Sequence, residues 1–189
     1  MATTRRVLYT IGHSTRTYAE LVAALRAWDV ETLVDIRHFG RSRTNPQFNA
    51  SALQRRLPRA RIAYVELREL GGRRSKSQDV PPQRNAGWTH SAFKNYADYA
   101  ETAEFAAGLD ALLARAETSI CAIMCAEVLW WRCHRRIVAD YAMTRGFAVS
   151  HIFTETKIER AKRTPFAKLD RRTQTLRYPK PRVRSARAK

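Results

Sequence analysis

Five short runs of β-branched and apolar residues recur along this chain, at 7–11, 32–36, 61–65, 119–124 and 147–152. Each is followed by turn residues, and helical periodicity separates most successive runs. This alternation specifies a mainly parallel sheet, because parallel neighbours need long crossovers and those crossovers lay helices on both faces. The expected fold is α/β, a single three-layer domain with about five strands. Periodicity stops after Phe153, which divides the 189 residues into an α/β domain over 1–153 and a basic C-terminal extension over 154–189. That extension is expected to be disordered or packed on the surface, and dispensable for the fold.

Local signals place the helices. Thr17 and Glu20 have capping-box spacing, and Leu21, Leu25 and Trp28 recur behind them at helical intervals, predicting a helix over 18–28. A short helix is expected over 50–57, ended by Pro58. Ser91 is a candidate cap for the pattern that follows, and a break near Thr102 leaves room for two helices before the fourth strand. Residues 133–145 suit a helix closed by Gly146 in the left-handed conformation.

Composition excludes several classes. Apolar residues make up 44% of the chain, enough for a packed core. No apolar stretch approaches the roughly 20 residues of a membrane-spanning helix, so no membrane partner is expected. The N-terminal residues lack a signal-peptide core, and three cysteines without a repeated spacing argue against a disulfide scaffold. Both point to a reducing cytoplasm. The formal charge of +18 is concentrated in two segments: residues 37–76 carry +9, with ten Arg and one Lys, and residues 154–189 carry +10. Arginine's planar fork suits bidentate phosphate contacts, so nucleic acid is the expected partner of both segments.

Ligands of an open α/β sheet bind outside the carboxyl ends of its strands. Gly12, His13 and Ser14 follow the first run, and Asp35 and Arg37 end the second, with Arg41 and Ser42 in the loop beyond. Gly71 and Gly72 follow the third, Cys125 and Glu127 the fourth, and His151 lies near the end of the fifth. Taken singly, each has a structural account as a cap, a turn or an ion-pair partner. Gathered at one edge, they read as a site. Gly12, His13 and Ser14 resemble a phosphate-binding turn without matching a dinucleotide or Walker motif. Cys133 would lie at a helix N-terminus beside Arg132, His134 and Arg135, surroundings that stabilise a thiolate. Trp130 and Trp131, in the same loop, either pack on the fold or stack on a base. Cys125 and Cys133 are not at a usual zinc spacing, so neither metal nor cofactor is expected.

These blocks resemble a known family. Tyr9-Thr10-Ile11-Gly12-His13-Ser14, Leu33-Val34-Asp35-Ile36-Arg37, Pro46-Gln47-Phe48-Asn49, Leu70-Gly71-Gly72, Tyr96-Ala97-Asp98-Tyr99, Met124-Cys125-Ala126-Glu127 and Cys133-His134-Arg135 are similar, in this order, to the motifs of the "domain of unknown function 488" family. The resemblance runs from about Val7 to Ile152. It implies a compact cytoplasmic α/β domain, in a family some of whose members carry a DNA-repair label. His13, Ser14, Asp35, Arg37, Arg41, Ser42, Gly71, Gly72, Glu127, Cys133, His134 and Arg135 fall on its signature positions. Residues 128–132 depart from it, since Val, Leu, Trp, Trp and Arg stand where the family has small, polar or proline residues.

The leading expectation is a nucleic-acid-directed enzyme, of hydrolase or glycosylase type, in DNA repair or modification. Asp35 and Glu127 would be its acid–base groups, with His13 or His134 orienting them and Arg37, Arg41, Arg43, Arg73, Arg74 and the basic tail engaging phosphates. One alternative is a small-molecule enzyme with Cys133 as thiolate and the arginines, Arg132 and Arg135 among them, as an anion pocket. Another is a binding module without catalysis, in which the edge cluster is only a polar network.

Overall fold

A computed structural model describes residues 6–181. Among the described residues there are eight strands and five α-helices. The strands are β1 (Val7–Gly12), β2 (Thr32–Asp35), β3 (Ala63–Glu66), β4 (Cys121–Cys125), β5 (Ala148–Ile152), β6 (Ile158–Arg160), β7 (Lys168–Asp170) and β8 (Thr175–Arg177). The helices are α1 (Tyr18–Arg26), α2 (Ala50–Arg56), α3 (Ser91–Tyr99), α4 (Ala103–Thr118) and α5 (Arg135–Thr144). The main sheet has six strands in the order β3-β2-β4-β1-β5-β6, and only β6 runs antiparallel to its neighbour.

The α/β expectation holds, with one strand more than the periodicity reveals. Central β2 and β4 are buried at every residue, as strands covered on both faces must be. On one face Leu21 and Leu25 of α1 and Leu53 of α2 pack on Ile11, Leu33 and Met124. On the other, α3, α4 and α5 bury Tyr96, Phe105, Leu112 and Val138 against Leu8, Val34 and Ile123.

The local signals act as their chemistry requires. The Thr17 hydroxyl accepts from the Glu20 amide at 3.2 Å while the Glu20 carboxylate accepts from the Thr17 amide at 2.7 Å. Thr102 caps α4 and separates it from α3. Gly146 takes φ +87° just after α5. Two boundaries move. His90, not Ser91, caps α3. Trp130–Arg132 form a 3₁₀ turn, so α5 starts at Arg135 and Cys133 precedes the helix.

Residues 154–181 are part of the domain, which corrects the expectation of a separate extension. β6 completes the sheet edge, and β7 and β8 form a hairpin that buries Leu176 and Tyr178 fully. The Tyr178 hydroxyl donates to Asp140 on α5 at 3.1 Å, and its amide donates to Asn85 at 2.9 Å. Helical periodicity misses this segment because its strands are three residues long and anchored by isolated aromatic and apolar residues. Residues 182–189, the rest of the basic tail, lie outside the described residues. Among the described residues no helix is long and apolar enough to cross a membrane.

Two buried histidines make the fold acid-sensitive. Burial, partly offset by other contacts, pulls His13 down to about 4 and His151 down to about 3. The unfolded chain binds these protons near the ordinary pKa of about 6.5, so between that value and the folded pKa the unfolded state holds more protons. Stability is therefore expected to fall as the pH drops from about 6.5 toward 4. Urea midpoints measured at intervals across that window check this, and a flat profile would contradict it.

Candidate functional site

The carboxyl ends of β1, β2 and β4 open into a cleft of about 920 Å³. Its floor carries Cys125, Cys133 and His134; Arg37 and His13 form one wall, and Gly72 and Tyr96 another. Arg41, Arg43, Arg73 and Arg132 stand exposed at the rim with Phe39 and Trp131, which are 59% and 43% exposed.

Three local devices build the floor. β4 ends at Cys125, and the 3₁₀ turn at 130–132 folds the chain back so that Cys133 and His134 arrive beside it. The His134 ring is clamped: Nε2 lies 3.0 Å from the Ile36 carbonyl oxygen, and Tyr96 packs on the ring at 4.9 Å between centroids. A carbonyl only accepts, so Nε2 carries the proton and Nδ1 faces the two sulfurs, 3.7 Å from Cys133 Sγ and 3.9 Å from Cys125 Sγ. Gly72 makes room for this, since a Cβ there would lie 2.8 Å from Nδ1. Arg135 Nε donates to Cys133 Sγ at 3.4 Å. Burial opposes a charge on Cys133, but the Cys125 thiol, His134 and Arg135 outweigh it and hold that thiol well below the ordinary range. The Cys125 thiol is pushed up by its contact with Cys133 and by burial.

The carboxylates do not converge here. Asp35 lies outside the cleft, buried in a fork with Arg37 at 2.5–3.0 Å and accepting from the Tyr64 hydroxyl at 2.7 Å. This corrects its reading as an acid–base group: its oxygens hold Arg37 in place. Arg37 is equally committed, donating to the Phe48 carbonyl at 2.7 Å and to His13 Nε2 at 3.3 Å. His13 donates from Nδ1 to the Ser14 carbonyl at 2.9 Å and packs on Phe48 at a tilt of 31°, so it lines the cleft as a neutral ring. Of the two expected acid–base carboxylates, Glu127 alone reaches the cleft, and it is exposed. Asp35→Ala is expected to cost about 3–5 kcal/mol, because it leaves a buried guanidinium uncompensated. Adding Arg37→Leu should restore part of that. Chemical denaturation of both variants checks the account, and an unchanged midpoint in Asp35→Ala would refute it.

The phosphate-binding turn is also corrected. The amides of His13 and Ser14 donate to the carbonyls of Cys125 and Ala126, both at 2.9 Å, and are not offered to an anion. Gly12 is required by the approach of the 127–128 backbone. Gly71 packs under His38, and the buried Arg135 donates to the carbonyls of Glu127 and Val128, so both shape the loops without facing the cleft. Ser42 lines the cleft and stabilises its own loop, accepting from the Asn45 amide at 3.0 Å. Trp130 packs inward on His151, at 4.4 Å and 10° between planes, leaving Trp131 as the rim aromatic.

A family model described as "Domain of unknown function DUF488" matches residues 17–142, two thirds of the chain. The chain belongs to this family. Its DUF488 match starts after the 9–14 block and ends within α5, shorter than the motif resemblance at both ends. Neither the curated proteins nor the solved structures provide a match. Within this DUF488 chain the motif blocks now separate by role. Those at 9–14, 33–37 and 70–72 mainly build the walls, and those at 124–127 and 133–135 supply Cys125, Cys133 and His134 to the floor. Arg43 was expected among the phosphate-contacting arginines, whereas Phe39 and Cys125 were not among the expected catalytic or anion-binding residues. The run of arginines from 37 onward was a usable signal for Arg43, whereas nothing in the sequence marks Phe39 as exposed.

Proposed function

We propose that this protein is a nucleic-acid-directed enzyme whose reaction centre is the sulfur–imidazole floor of the cleft. The observation that carries the reading is the rim: four exposed arginines and two exposed aromatics surround a concave site with titratable groups at its base. Arginines neutralise backbone phosphates, and aromatic faces stack on bases without regard to sequence. The cleft volume lies within the range of pre-formed ligand sites and suits one extruded nucleotide better than a duplex. Glu127 remains a candidate proton-transfer group, while Asp35 supports the wall.

Binding of a labelled single-stranded oligonucleotide tests this. If about four phosphates are neutralised, affinity should fall roughly 50-fold between about 50 and about 200 mM salt. Replacing Arg41 and Arg43 together by Gln should reduce that drop to roughly 7-fold. Binding insensitive to salt, or a slope unaltered by the double substitution, would overturn the reading. Point substitutions serve better than deletion of 154–189, because that segment contributes to the core.

A second reading, a small-molecule enzyme working through a Cys133 thiolate, is favoured by the placement of Cys133 Sγ between His134 Nδ1 and Arg135 Nε. Tight, salt-independent capture of a small anion, abolished by Cys133→Ser, would select it.

A further inference from the structure

We infer that the floor of the cleft is a metal site in which Cys125, Cys133 and His134 bind a zinc ion and leave its fourth position open to the cleft. The inference takes the location of the reaction centre from the preceding reading and adds its cofactor.

Three observations carry it. The donor atoms of these residues all lie within 4.8 Å of one another, the one such group of three among the described residues. The separations suit zinc. Tetrahedral bonds of about 2.3 Å to sulfur and 2.0–2.1 Å to nitrogen place a sulfur and a nitrogen roughly 3.6 Å apart. Nδ1 lies 3.7 Å from one sulfur and 3.9 Å from the other, so small shifts would close the geometry.

The outer contacts are those of a ligated histidine. Nε2–H is held by the Ile36 carbonyl, which fixes the tautomer that leaves Nδ1 free to bind, and metal-bound histidines are commonly oriented in this way. The Arg135 N–H directed at Cys133 Sγ would likewise stabilise a thiolate ligand. All three residues line the cleft, so a bound ion would face it rather than be enclosed by protein. Two thiolates and an imidazole with one open position form the donor set of catalytic rather than structural zinc, and such an ion activates bound water near neutral pH. The Cys-x₇-Cys spacing departs from compact zinc motifs because a strand end and a separate 3₁₀ turn supply the ligands.

The test reads metal rather than turnover. The full chain, produced with added zinc and kept reduced, is expected to retain an equimolar amount of zinc by elemental analysis. After exchange with Co²⁺ it should show a thiolate-to-cobalt charge-transfer band. Cys125→Ser, Cys133→Ser and His134→Ala should each weaken zinc binding by more than the 10- to 100-fold that loss of an outer contact typically costs. Cys121→Ser, which alters a buried cysteine at the opposite end of β4, should leave it unchanged.

Substoichiometric zinc with no cobalt band in the unsubstituted chain would overturn the inference, and this comparison does not depend on any variant folding. So would a Cys125–Cys133 disulfide formed in place of metal uptake, or full zinc content in Cys133→Ser. A chain that binds oligonucleotide but no metal overturns this inference alone. A chain that takes up metal but no oligonucleotide overturns the preceding reading alone.

Discussion

Gly12→Ala is expected to yield little folded protein. A Cβ at this position would lie 2.6 Å from the carbonyl carbon of Glu127, 2.8 Å from the Cα of Val128, and closer still to the Glu127 oxygen. These are backbone atoms, and neither strand can retreat. β1 and β4 are paired from Leu8–Cys121 to Gly12–Cys125, and the next two amides of the β1 side are bound to the carbonyls of Cys125, which ends β4, and Ala126. Arg135 also holds the Glu127 carbonyl from behind. With no flexible side chain to absorb the methyl group, the cost should exceed about 4 kcal/mol, outside the range of most single substitutions. A domain stable by about 5–15 kcal/mol would lose much or all of its folded population. Gly146→Ala is the control, since a Cβ there would meet only the Arg6 guanidinium, at an ordinary 3.8 Å, and only its positive φ is strained. It should cost roughly 1 kcal/mol. Circular dichroism and denaturant titration of both variants decide the matter, and a Gly12→Ala chain within about 1 kcal/mol of the parent would refute the packing argument.

Removing residues 154–189 is expected to abolish cooperative folding. The deletion takes away Leu176 and Tyr178, both fully buried, together with Ala161 and Ala167 from the same core cluster. Truncating a single large core residue costs about 2–5 kcal/mol, so losing several approaches the whole stability of a domain. Trp88 would lose its packing against Phe166 and Tyr178. Asp140 would lose its contacts with Thr164 and Tyr178 while remaining on α5. Tyr178→Phe isolates one contribution, removing only the hydroxyl contact with Asp140, and should cost about 1 kcal/mol. A sharp thermal transition in the shortened chain, near that of the full one, would refute this account.

The strands were legible because each is a contiguous apolar run, a signal that survives without knowledge of neighbours. Sheet order was not, because β4 inserts between β1 and β2 through contacts distant in sequence. β6 was invisible for a simpler reason: only Ile158 of its three residues is apolar. The candidate site was legible in location and only partly in role. Asp35 ends one strand and Glu127 follows another, and a linear pattern cannot distinguish a carboxylate turned into a buried guanidinium from one standing at a cleft. Cys133 and His134 stood out by their basic neighbours. Cys125 was legible at the edge but not in role, because at the end of an apolar strand it also reads as a small core residue until the 3₁₀ turn brings Cys133 back beside it.

β6 also has a consequence for behaviour in a crowded solution. Without it β5 would present an unpaired ladder, Ala148 to Ile152, to any passing chain, and exposed ladders of this kind template intermolecular aggregation. β6 occupies that ladder in antiparallel register and is itself a poor template, three residues long with Glu159 and Arg160 exposed. The C-terminal segment that adds positive charge to the protein therefore also, through β6, guards it against self-association.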